Sequence, residues 1–129
     1  MLESENFGLI VRELSTRSES PDVASVALAR ALTYPRRDSS SAGKALLRMG
    51  NRARAATAEL VSALKHNRPD VRRYAALVLG VIGGDAQCAI PELAMLLWDR
   101  DQYVRSAAAA AMESIITVDL VEPQDEISL

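Results

Sequence analysis

One cysteine, one histidine, one tryptophan and one phenylalanine in 129 residues leave little with which to build a covalent framework or a metal centre. Cys88 alone excludes an internal disulfide and suits a reducing compartment, most simply the cytoplasm. His66 alone would need carboxylates gathered from distant turns to hold a metal, and no spacing points that way, so no metal is expected. Aromatic residues make up only 4% of the chain, and alternating β-branched runs are missing, which argues against a sandwich or barrel. The opening residues lack the basic and apolar regions of a signal peptide. No apolar run reads as the ~18 residues of a membrane span, so a soluble chain without a membrane partner is expected. Also missing are a Ser-His-Asp order with its supporting motif, a phosphate loop, a dinucleotide fingerprint and paired carboxylates. Catalysis lacks its parts: no catalytic residue or cofactor is assigned, and a non-enzyme is expected.

What is present is periodic. Hydrophobic residues make up 49% of the sequence, enough for a core that needs neither disulfide nor metal. Leu14, Leu46, Leu79 and Met112 recur at intervals of 32, 33 and 33, and Ile10, Ala42, Ala75 and Ala108 keep the same intervals four residues earlier. Positions i and i+4 share one helix face. A second series, Leu28, Leu60 and Leu93, is followed four residues on by Leu32, Leu64 and Leu97, which marks a second helix in each unit. Gly50 and Gly83 lie between the two series, where a helix stops in the left-handed conformation that glycine accepts. First helices are expected near residues 7–17, 40–49, 70–82 and 102–117, and second helices near 22–33, 55–66 and 89–98. Ser20-Pro21-Asp22, Pro69-Asp70 and Ile90-Pro91-Glu92 read as helix openings. The alanines at 107–111 read as core, small enough to let helices approach closely.

The stretch 70–83, Asp-Val-Arg-Arg-Tyr-Ala-Ala-Leu-Val-Leu-Gly-Val-Ile-Gly, resembles HEAT-like repeats, as do Ile90-Pro91-Glu92-Leu93 and the Asp101 to Ala108 stretch. The shorter repeats of the phycobilisome-lyase type are the most similar. Two units match well, from about residue 55 to 117, while the part before residue 50 keeps only the hydrophobic skeleton. The resemblance implies an all-α fold, a short right-handed α-solenoid of about 3.5 hairpins and about seven helices. It divides the chain into one domain at 1–118 and an acidic tail at 119–129. It also implies that Arg72 and Arg105, beside Asp70 and Asp101, form an Asp–Arg ladder between repeats.

Charge is uneven along the chain. Between Arg30 and Arg73 eleven Lys or Arg face three acidic residues, and the last eleven residues carry four acids and no base. Arg36 and Arg37, with Lys44, Arg48, Arg52 and Arg54, form the candidate anion site, although no aromatics are interleaved to stack bases. Solenoids of this kind bind through the concave surface lined by second helices. With the leucines inward, Arg30, Tyr34, Ser62, Lys65, His66, Met95, Trp98 and Asp99 turn outward there, and Trp98 is the candidate anchor. Against the anchor stands Trp98 folded under the last helix as core, and the ordinary reading of Cys88 is a small semi-buried residue.

The function expected is a non-enzymatic scaffold that binds a protein or peptide. Binding of nucleic acid or another polyanion through residues 30–73 is the second reading, and an accessory chromophore-lyase-like protein the third. The fourth unit holds only its first helix before the acidic tail. Either that tail folds back as a cap through Leu120, Val121 and Ile127, or the end pairs with a partner or a second copy.

Overall fold

The computed structural model describes residues 20–35 and 39–127, with side chains as far as Ile116. The helix expected at 7–17 lies outside the described residues, as do Arg36 and Arg37. Four helical runs are described. The first is α1 (Pro21–Leu32). The second joins α2 (Ser40–Met49) through the 3-10 segment η1 (Gly50–Ala56) to α3 (Thr57–Ala63). The third joins α4 (Pro69–Ile82) through η2 (Gly83–Ala89) to α5 (Ile90–Leu96), and the fourth is α6 (Gln102–Ile127). Among the described residues there is no strand. The described residues form an all-helical fold, as expected. The count of seven separate helices is not confirmed, because both glycine breaks are bridged by 3-10 turns.

Local chemistry sets the helix starts. Ser20 sits in an extended conformation before α1, its Oγ accepts the Val23 N–H at 3.4 Å, and Pro21 follows with its preset φ. Pro69 and Pro91 open α4 and α5. Asp101 caps α6, its Oδ1 accepting the N–H groups of Tyr103 at 2.8 Å and Val104 at 3.1 Å.

Gly50 (φ 58°, ψ −134°) and Gly83 (φ 82°, ψ −140°) end α2 and α4. The positive φ agrees with the sequence reading. The strongly negative ψ departs from it: these residues occupy the mirror image of the extended region, which L side chains scarcely enter. The chain is thereby redirected into a tighter 3-10 turn, whose period of three puts residues i and i+3 on one face. Ala53 and Ala56 in η1, and their equivalents Ala86 and Ala89 in η2, are fully buried at that spacing.

The repeated leucines and alanines form the core. Leu28, Leu60 and Leu93, Leu32 and Leu64, Ala42, Ala75 and Ala108, and Leu46 and Leu79 are all buried. Hairpins pack on their neighbours in chain order, α1 against α2 and η1, α2 against α4, and α4 against α6 over the largest surface. That last approach is close, since a Cβ on Gly80 would stand 3.0 Å from the Cα of Ala111. Only Ala107, Ala108 and Ala111 of the alanine run are buried, however; Ala109 and Ala110 are exposed, because one helix side cannot hold five consecutive residues.

Three other expectations are corrected. Leu97, equivalent to the buried Leu32 and Leu64, is 38% exposed, and Leu96 takes the inward place. Helix α6 continues to Ile127 instead of stopping near residue 117, so the backbone of the expected tail is helical as far as Ile127. The run Pro69–Leu96 is long and apolar enough by composition to cross a membrane, with mean hydropathy 1.3. It turns at Gly83 and buries Val71, Ala75, Ala76, Val78, Leu79 and Leu93, so its apolar residues have a packing use.

Candidate partner-binding grooves

Two grooves lie beside the second helices and share His66 in their linings. The larger, about 530 Å³, lies between α3 and α5; Leu64, Met95 and Leu96 line it with Lys65, Arg72, Glu92, Asp99 and Arg100. The smaller, about 370 Å³, lies between α1 and α3 and is lined by Ala29, Arg30, Thr33, Glu59, Ser62 and Ala63 as well as His66. Of the eight outward residues expected from sequence, Arg30, Ser62, Lys65, His66, Met95 and Asp99 line these grooves. Tyr34 and Trp98 line neither but are exposed, Tyr34 at 53% and Trp98 at 88%. The alternative in which Trp98 is core is thereby excluded.

Asp99 has another role than the surface contact expected. Arg72 grips it through two bonds, Nε to Oδ2 at 2.8 Å and Nη2 to Oδ1 at 3.0 Å. The remaining guanidinium nitrogen donates to the carbonyls of His66 at 2.8 Å and Asn67 at 3.1 Å. Both side chains are largely buried, and the planar fork satisfies two turns at once. Burial alone would raise the Asp99 carboxyl. Hydrogen bonds from Arg72 and from the Asp101 N–H, with the charges of Arg72 and Arg100, overcome it and hold the group below the usual carboxylate value.

Of the expected ladder one Asp–Arg rung is present among the described residues, and with another partner than expected. Arg72 takes Asp99, not Asp70 or Asp101; Asp70 accepts from Ser39 Oγ at 2.7 Å and faces Arg68 at 3.8 Å. Arg105, one repeat on from Arg72, reproduces only the carbonyl bond, to Asp99 O at 2.7 Å, and is exposed. Sequence spacing alone could not choose among three aspartates within a few residues of the right turn.

His66 stands one repeat before Asp99 and does the same local work. Its Nδ1 accepts the Arg68 N–H at 3.1 Å, as Asp99 accepts the Asp101 N–H at 2.9 Å. Burial, then the charge of Arg68, lowers its pKa; Asp70 opposes this and Arg72 adds to it. A half-buried turn acceptor replaces the surface histidine expected.

In the candidate anion site, Lys44, Arg48 and Arg52 are exposed and make no ion pair with another described residue. Arg54 is tied down, donating to Asn51 Oδ1 at 3.1 Å, while Asn51 donates to Ile82 O and Asp85 Oδ2, both at 2.9 Å. Asn51 thus links neighbouring turns, a role without a sequence signal, since Gly84 stands at the equivalent place one repeat on. Cys88 is exposed instead of semi-buried. Among the described residues no group of His, Cys, Asp and Glu is placed to hold a metal ion.

A family model described as HEAT repeats matches residues 10–113. The chain belongs to the HEAT repeat family. The match reaches back before residue 50, where the sequence keeps only the hydrophobic skeleton of the repeat. No curated protein and no solved structure matches the chain. HEAT repeats are commonly protein-interaction scaffolds, and the larger groove here has a partly apolar lining.

Proposed function

We propose that this protein is a short right-handed α-solenoid that acts, without catalysis, as an interaction module for a protein or peptide in the cytoplasm. The observation that carries the reading is the pair of adjoining grooves at His66, with Met95 71% exposed in the wall and Trp98 one turn beyond it. Apolar side chains exposed together beside a groove are a mark of interaction sites, and tryptophan is a common interface anchor.

A photocrosslinking residue at Ser62 or Lys65 in the native cell tests the reading. A discrete adduct from these sites and none from Arg48 on α2 is the expected result; adducts from Arg48 alone would overturn it. Polyanion binding is the second reading, favoured by the unpaired Lys44, Arg48 and Arg52. Phosphate contacts make affinity fall steeply with salt, so generic DNA and RNA at two ionic strengths check it. Nothing favours a lyase activity. Self-association would use the exposed Leu97, Tyr103 and Ile116 near α6, and a mass that does not change with concentration would rule it out.

A further inference from the structure

His66 belongs to the linings of both grooves, and one of its two ring nitrogens is already engaged. Nδ1 accepts the Arg68 N–H at 3.1 Å. A neutral imidazole has one acceptor nitrogen and one N–H, so a ring that accepts through Nδ1 carries its proton on Nε2. Burial, with the charges of Arg68 and Arg72, disfavours the imidazolium and keeps the ring neutral near pH 7. Among the described residues Nε2 has no hydrogen-bond partner, and it is not a buried atom, so solvent reaches it. The turn therefore fixes the tautomer and leaves His66 with a single donor to offer.

The other polar groups of the linings discriminate less. Lys65 faces Glu92 at 3.8 Å, Arg72 holds Asp99, and Thr33 Oγ1 donates to the Arg30 carbonyl at 3.0 Å. Ser62, four residues before His66, is exposed in the smaller groove, but a hydroxyl can donate or accept and so suits either kind of partner. Nε2–H can only donate. An N–H stripped of its water and left without an acceptor costs an occupant roughly five- to hundredfold in affinity. In a groove with few placed polar groups, such a donor decides how an occupant must lie.

We infer, resting on the groove reading above, that His66 is a specificity-determining residue whose Nε2–H donates to a carbonyl oxygen of the bound peptide. A carbonyl suits this place better than a carboxylate. The two cations that act on His66 already face acids, Arg68 with Asp70 at 3.8 Å and Arg72 with Asp99, and a further carboxylate would be desolvated there without a partner of its own. An occupant that turned an N–H or an ammonium to this point would set donor against donor.

His66 is the only histidine, so its ring nitrogens give one unambiguous set of magnetic-resonance signals. In the nitrogen-15-labelled full chain at pH 7.5, Nε2 should be the protonated nitrogen; a proton on Nδ1 overturns the inference. N,N-dimethylacetamide, which offers only a carbonyl, should shift the Nε2 signal saturably, and methylammonium should not. A larger shift with acetate at equal concentration and ionic strength, or none with dimethylacetamide, overturns the carbonyl assignment. In the cell, the adduct from a crosslinking residue at Lys65 should survive His66→Asn, which keeps both an acceptor for the Arg68 N–H and a donor. It should fall roughly tenfold or more in His66→Asp, which accepts as Asp99 does one repeat on but donates nothing, with unchanged far-ultraviolet circular dichroism. A full adduct in His66→Asp overturns the role of the donor and leaves the groove reading standing, whereas no adduct from the native chain removes the groove reading itself.

Discussion

Arg72 and Arg105 hold the same place one repeat apart, yet their replacement by alanine should have very different costs. Arg72 is 13% exposed and its partner Asp99 8%, joined by two short bonds, with two more from Arg72 to backbone carbonyls. Removing one member of such a buried pair strands the other and costs about 3–5 kcal/mol. Arg105 is exposed and makes one bond to a carbonyl, so its loss should cost roughly 0.5–1.5 kcal/mol. Urea melts at fixed pH and salt give both numbers from midpoint and slope, and for a domain of this size the Arg72 loss should lower the Tm by roughly 10–20 °C. In a double-mutant cycle, Arg72→Ala with Asp99→Ala should show a coupling of about 1–3 kcal/mol. Equal costs at Arg72 and Arg105, or a coupling under ~0.5 kcal/mol, would refute the claim that Arg72 ties the turn before the third hairpin to the turn after it through Asp99.

Gly50→Ala and Gly83→Ala should each cost about 1–3 kcal/mol through backbone strain alone, since open space surrounds both glycines; a neutral result in thermal melts would contradict the positive φ. Gly43→Ala acts differently. Its Cβ would collide with the ring of Tyr74, so a loss of roughly 1–3 kcal/mol is expected, and Gly43→Ala added to Tyr74→Ala should cost far less than when added to the native chain. For His66 the pKa is lowered in the fold. Above about pH 6.5 folded and unfolded chains are both neutral there; below it the unfolded chain takes the proton first, so stability should fall as pH drops from 6.5 through the folded pKa. His66→Asn, which keeps an acceptor for the Arg68 N–H, should flatten that part of the stability–pH curve measured by urea melts.

The architecture was legible because repetition multiplies a weak signal. A single Leu28 says little, but Leu28, Leu60 and Leu93 at matching intervals fix a face, and all three are buried. Paired prolines and aspartates marked the helix starts for the same reason. Leu97 escaped because its equivalents Leu32 and Leu64 are both buried, and periodicity cannot register its own failure. The 3-10 segments were missed although their alanines at i and i+3, Ala53 with Ala56 and Ala86 with Ala89, carried the clue. At the candidate site, outward projection found most of the groove lining, because helix geometry decides which side chains point away from a buried leucine. It misjudged Asp99, whose fate depends on Arg72 27 residues away, a contact no local period encodes.

Which face of the stack binds a partner is decided most directly by comparing two variants against one partner recovered by the crosslink. Met95→Ala combined with Trp98→Ala removes the exposed apolar side chains in and beside the larger groove and should weaken binding by a hundredfold or so, as loss of a central anchor of about 3 kcal/mol does. Lys44→Ala combined with Arg48→Ala and Arg52→Ala should leave affinity within about twofold at physiological salt, where exposed charges are largely screened. The opposite pattern, intact binding without Met95 and Trp98 and lost binding without the three cations, would place function on α2 and η1 and contradict the groove.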